Sequence, residues 1–313
     1  MSDMAATGAN VVRYFVNENL SADGNSYVGD PNNLAGLTSV VQSAKQFGFK
    51  VIILLQPLSA QNVPELPEFW ANTNLQSSLV NIWIAIAQQY VGNTTIAAYD
   101  LINEPIAPNG QQQWITLATQ MITAIQKVDP NHVIIFEPSP GGIPESFLTM
   151  KEPLPYTNIV YSVHDYEPYA ITGQGIFSSS VESYPSPSSS SIGLVNSTTL
   201  STQLEPVRQF ATNFHVPIYV GEFSCARWAP GTSAYQYMRD SIELFESAGF
   251  SWTYHEWRGY QAWDAELPES YFQAMPYVNA MPQGWATENT ALLRSSDTDA
   301  MTTLKQYFES NIH

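Results

Sequence analysis

Seven short apolar runs, rich in β-branched residues and separated by helix-length amphipathic segments, constrain this chain more than any other feature. They are Ala9 to Val16, Lys50 to Gln56, Ile96 to Ile102, His132 to Phe136, Ile159 to Val163, Pro217 to Val220 and Phe250 to Tyr254. Runs of this length and composition read as strands buried on both faces of a parallel sheet. Helical patterns lie between them. Leu34 to Phe47 stops at Gly48, Leu75 to Tyr90 stops before Gly92-Asn93, and Gln111 to Val128 stops at Asp129-Pro130. Leu200 to Phe214 and Ala234 to Ala248 follow the same logic, and a last helix spans Asp297 to Ser310. Such alternation predicts parallel strands joined by right-handed crossovers. A closed barrel built this way needs eight strands. Met1 to Gly8 offers only the end of a helix where a further strand should come first. The expectation is one barrel domain over residues 1–313 that lacks its first strand–helix unit. The edges left open would pair with a second copy of the chain, or be covered by Tyr271 to Leu293.

Charge narrows the partners. Lys+Arg is 11 against Asp+Glu 28, a formal charge of −17. Such a surface repels nucleic acid and anionic membranes and suits a neutral ligand. No apolar run approaches the ~20 residues of a membrane span. Met1 to Gly8 lacks the basic and apolar segments of a signal peptide. The single cysteine, Cys225, excludes an intrachain disulfide and reads as a small buried hydrophobe. The five histidines show no zinc-helix spacing, so neither metal nor cofactor is expected. Ser178 to Ser201 is low in complexity, yet it falls inside a repeating unit. It reads as a long loop over the active face rather than a linker.

Two strand ends carry the chemistry. Tyr99-Asp100-Leu101-Ile102 runs into Asn103-Glu104-Pro105, and Pro217-Ile218-Tyr219-Val220 runs into Gly221-Glu222-Phe223. Barrel enzymes place reacting groups at the carboxyl ends of their strands. Two carboxylates in such places are what glycosidic bond cleavage requires: a proton donor and a group at the anomeric carbon. Glu104 is the better donor and Glu222 the better nucleophile. Asn103 can bind a sugar hydroxyl. An ionised nucleophile needs donors or positive charge around it. Arg13, odd in a buried strand unless paired, and Tyr166 are candidates. Asp100 lies deeper on its strand and reads as structural. Glu137, also before a proline at a strand end, is a third carboxylate that could contact substrate. Trp228, Trp257, Trp263, Tyr169 and Tyr184 sit in loops after strands, where sugars could stack on them.

The ordered set Arg13, Asn103-Glu104-Pro105, His164-Asp165-Tyr166, Gly221-Glu222-Phe223 and Trp252-Thr253-Tyr254-His255-Glu256-Trp257 resembles glycoside hydrolase family 5 from Gly8 to about Gln261. The resemblance implies an α/β TIM-type (β/α)8 barrel, with no cofactor. It implies an extracellular retaining enzyme that cleaves internal β-1,4-glucan bonds, with β-mannan or another β-glycan as alternative substrate. It implies that Glu104 is the acid/base and Glu222 the nucleophile, with Arg13, His164 and Tyr166 in supporting places. Three departures bear on sugar choice. Leu55-Gln56-Pro57-Leu58 stands where the family has an Asp/His-rich run, Gly173 replaces a loop histidine, and His255 and Trp257 compete for the place of a tryptophan floor. Two other classes remain to be separated. A non-catalytic glycan-binding barrel would show no turnover, and a metal-dependent barrel hydrolase would be stopped by chelators.

Overall fold

The computed structural model describes residues 1–29, 31–58, 67–176, 181–273, 277–278, 281–282, 293–295 and 297–311. Its first part contains α1 (Ser2–Ala5), β1 (Val11–Glu18), α2 (Pro31–Phe47), β2 (Lys50–Pro57), α3 (Pro67–Ala71), α4 (Thr73–Tyr90) and β3 (Ile96–Asp100). There follow α5 (Gln111–Val128), β4 (Val133–Phe136), β5 (Ile159–His164), α6 (Tyr169–Thr172), α7 (Ser197–Gln203), α8 (Glu205–Phe214) and β6 (Ile218–Glu222). The last are α9 (Ser233–Ala248), β7 (Ser251–Trp252), α10 (Glu269–Gln273), β8 (Tyr277–Val278), β9 (Met281–Pro282) and α11 (Asp299–Phe308).

β1 to β7 form one seven-stranded sheet in sequential order. The ladders from β1 through β5 are parallel. An order that never reverses belongs to the singly wound barrel class, not to the doubly wound sheets, whose order switches direction. β8 and β9 make a separate antiparallel pair. The seven strands match the seven expected runs, although β7 is shorter than Phe250 to Tyr254. The expected helix from Leu200 to Phe214 divides into α7 and α8. Pro206 is the cause: it lacks the N–H that a continuous helix would need at that point. Most of the expected cover from Tyr271 to Leu293 lies outside the described residues.

The chain divides into two compact units, Met1–Val163 with Phe210–Tyr219, and His164–Gln209 with Val220–His313. In the first, strand alternation sends Ile52, Ala98, Ile135 and Tyr219 into one apolar cluster with Val11, Val133 and Val160 packed against it. On the other side Trp83 meets Tyr99 edge-on at 5.6 Å and Trp114 stacks on Phe136 at 5.5 Å. Both indoles also anchor backbone near strand ends. Trp83 Nε1 donates to the Leu101 carbonyl at 3.0 Å and Trp114 Nε1 to that of Glu137 at 2.7 Å.

In the second unit Phe223 meets Phe245, Trp252 and Tyr254 edge-on, so one ring ties β6 to α9 and β7. The described part of the serine-rich segment is a folded loop. Ser186 and Val195 bridge, Ser190 Oγ donates to Glu182 at 2.6 Å, and Asn196 forms a capping box at the start of α7. Tyr184 lies within this packing at 2 % exposure, with its hydroxyl on Asp240 at 2.8 Å. That burial corrects its reading as an exposed ring for sugars. Cys225 is fully buried, and burial pushes its thiol up to about 12, which makes it inert. Among the described residues no helix is long and apolar enough to cross a membrane.

Candidate active site

In the first unit, a polar layer sits one alternation above the apolar cluster. Arg13 is two residues beyond Val11, Asp100 two beyond Ala98, and Glu137 two beyond Ile135, so each shares the face of its apolar neighbour. The Arg13 guanidinium bonds Asp100 Oδ2 and Glu137 Oε1, both at 2.8 Å, and all three side chains are almost fully buried. A buried cation held by two carboxylates is stable only with such complete pairing. Arg13 Nη2 also donates to Asn103 Oδ1 at 3.0 Å. That bond occupies the amide oxygen and fixes the orientation of the amide. Glu137 Oε2 accepts the backbone N–H of Glu104 at 2.9 Å. Glu104 itself adopts φ 46°, a left-handed backbone uncommon for a residue with a side chain. Glu137 thus holds the Glu104 backbone and Arg13 together. At 1 % exposure it is a supporting group, not a substrate contact. The alternation of its strand was the signal for this. Beside Glu104, Tyr27, Gln56, Phe69, Trp70, Ile102 and Asn103, among others, line a small open recess.

In the second unit, donors converge on Glu222. Its Oε2 accepts the Tyr166 hydroxyl at 2.8 Å and lies 3.1 Å from His255 Nδ1. His164 Nδ1 stands 3.9 Å from the same oxygen. Backbone bonds set this geometry: Asp165 N–H to the Glu222 carbonyl at 2.9 Å, Thr253 N–H to Val220 at 3.0 Å and His255 N–H to Phe223 at 3.1 Å. His255 Nε2 lies 3.6 Å from Glu256 Oε1. Burial alone would push the imidazole down, but the charge of Glu222 and hydrogen bonds to Glu222 and Glu256 outweigh it and raise it to about 9. Burial likewise opposes the ionisation of Glu256, and His255 overcomes it and holds that carboxyl below its ordinary value. Trp263 meets His255 edge-on at 5.4 Å and lies 5.6 Å from Tyr166.

The predicted residues therefore gather as two groups, Arg13 with Asn103 and the Glu104 backbone, and His164 with Tyr166 and Glu222. Trp257 is half-buried, with the Arg258 guanidinium 4.7 Å over its ring. Trp228 packs against Leu267, Tyr271 and Phe272, and its Nε1 donates to the Gln174 carbonyl at 2.9 Å. His255 as a partner of Glu222, and Glu256 as a partner of His255, were not foreseen. A histidine at a strand end beside a glutamate was their only trace in the sequence.

A donor set around one strand-end carboxylate, and a second strand-end glutamate on a braced backbone, invite comparison with known enzymes. The sequence model of the family described as Cellulase (glycosyl hydrolase family 5) matches residues 1–261. The chain belongs to glycosyl hydrolase family 5. Among characterised relatives, a β-xylosidase of Phanerodontia chrysosporium is 27 % identical over 168 residues, 51 % of this chain and 35 % of that protein. Endoglucanase C of Acetivibrio thermocellus is 24 % identical over 208 residues, 58 % of this chain and 60 % of that one. The matches thus span less than two thirds of these relatives. A solved structure of Thermotoga maritima Cel5A with cellobiose gives a TM-score of 0.70 at 17 % identity, covering 97 % of this chain and 88 % of the other, and the same enzyme has been solved with mannotriose. At that identity the likeness is one of fold, and it places the chain in the TIM-barrel class.

Proposed function

We propose that this family 5 chain is, as a single catalytic domain, an endo-acting retaining β-1,4-glucanase, with Glu222 as nucleophile and Glu104 as acid/base. The observation that carries the proposal is the donor set on Glu222 Oε2, Tyr166 at 2.8 Å and His255 at 3.1 Å. Donors and positive charge keep a nucleophile ionised while an acid elsewhere stays protonated. In the first step a Glu222 oxygen bonds the anomeric carbon as the glycosidic C–O bond breaks, and the Glu104 proton goes to the leaving oxygen. In the second, water bonds that carbon, its proton goes to Glu104, and the carbon–Glu222 bond breaks. The Asn103 amide, oriented by Arg13, suits a hydroxyl of the sugar at the cleavage point. The net charge of −17 suits a neutral polymer, and the family supports an extracellular place of work.

Retention needs the two carboxyl groups about 5–5.5 Å apart. A crystal structure of the covalent 2-deoxy-2-fluoroglycosyl enzyme should show Glu222 esterified at that distance from Glu104. Glu222→Ala should abolish turnover of a β-glucan, and azide should restore part of it with an activated aryl glycoside. Full activity in that variant would end the assignment. β-Mannan is the second reading, supported by the mannotriose complex of the Thermotoga enzyme. Relative kcat/KM on glucan and mannan of equal length decides between them. Absence of turnover on both would favour a glycan-binding barrel.

A further inference from the structure

We propose that His255 is a positioning residue for the nucleophile: an imidazolium, held between Glu222 and Glu256, whose charge keeps the Glu222 carboxylate ionised and in place. The inference rests on the reading of Glu222 as nucleophile. Its geometric basis is independent of that reading. Nδ1 lies 3.1 Å from Glu222 Oε2 and Nε2 3.6 Å from Glu256 Oε1, so each ring nitrogen has a carboxylate. A neutral imidazole has one N–H and no charge, whereas the cation can donate to Glu222 and also attract Glu256 across 3.6 Å. The side chain is only 17 % exposed, which leaves little water to screen the pair.

Among the described residues, these groups surround the Glu222–His255 pair. From β6 comes Glu222. From the end of β5 and the loop after it come His164, 3.9 Å from Glu222 Oε2, and Tyr166, on that same oxygen at 2.8 Å. From its own loop come Glu256 and the Trp263 ring edge at 5.4 Å. Two carboxylates against one imidazole favour the cation, in keeping with a titration near 9. The sign follows: His255 is charged at every pH below that value, so it is charged throughout the range in which a carboxyl nucleophile ionises. Its charge lowers the proton affinity of Glu222, and it gives the displaced carboxylate a donor when the glycosyl-enzyme is hydrolysed.

The acid limb of the kcat/KM profile reports ionisation of the nucleophile in the free enzyme. His255→Gln and His255→Trp should move that limb up by about one pH unit, because a positive neighbour is lost. Glu256→Gln should leave the limb in place, since His255 stays protonated there, while lowering the imidazole titration seen by NMR of isotope-labelled histidine. Glu222→Gln should lower that titration further, whether or not the chain turns over any glycan. An acid limb unmoved in both His255 variants, with turnover reduced equally at all pH, would leave His255 a packing residue and overturn the proposal. An imidazole that titrates near 6.5 and ignores Glu222→Gln would overturn it even if the His255 variants do not fold. A wild type without turnover but with the coupled titration would instead remove the enzyme reading and leave the ion pair standing.

Discussion

Glu137 shows at the residue scale how one buried carboxylate can serve two masters. One oxygen neutralises Arg13 and the other holds the backbone N–H of Glu104. Removing it takes one carboxylate from the buried Arg13 cation and releases the brace on a left-handed residue. Glu137→Ala should therefore cost about 3–5 kcal/mol of stability in urea unfolding, the usual cost of stranding a buried charge. Glu137→Gln keeps an acceptor but loses the charge. It should fold, and should lower kcat on the order of 10²-fold with little change in KM, since misplacing a reacting group by about 1 Å has that effect. A KM effect alone would return Glu137 to the substrate contacts. The two glutamates proposed to react stand out in the sequence because each ends an apolar strand in a short, recognisable run. The role of Glu137 was not, because a glutamate before a proline looks the same whether it faces a sugar or an arginine. Only its shared parity with Ile135, together with Arg13 and Asp100, distinguishes the two.

Elements were more legible than residues. Periodicity located the seven strands of the main sheet, since buried parallel strands are continuous apolar runs bounded by turns, but not the short β8–β9 pair. Helix ends were marked by the residues that end them. Gly249 is the C-terminal stop of α9, with φ 71° and its N–H on the carbonyls of Phe245 and Glu246. A Cβ there would meet nothing within 4 Å, so the conformation alone opposes substitution. Gly249→Ala should destabilise the chain by about 1 kcal/mol in thermal or urea unfolding, with kcat unchanged. A neutral result would mean that the loop into β7 relaxes freely. Pro206 marks the break between α7 and α8 in the sequence, although the apolar pattern runs on through it. Register was not readable at all: the pairing of Arg13 with Ile52 depends on neighbours far apart in sequence.

Charge acts on the scale of the whole molecule. An excess of 17 negative charges over 313 residues surrounds a site proposed for a neutral polymer. Its long-range field should matter little for such a substrate, and the screening length of about 10 Å at 0.1 M salt removes most of what remains. A polymer with the same backbone but added carboxymethyl groups should be repelled as it approaches. Between about 20 and 300 mM NaCl, kcat/KM on a neutral mixed-linkage or hydroxyethylated glucan should stay nearly constant, while that on carboxymethylcellulose should rise several-fold. Steady-state assays of both polymers over the same salt series test this directly. An equal response from the two substrates would place the effect in the protein itself, and a fall on the charged polymer would reveal a cationic groove that the overall balance conceals.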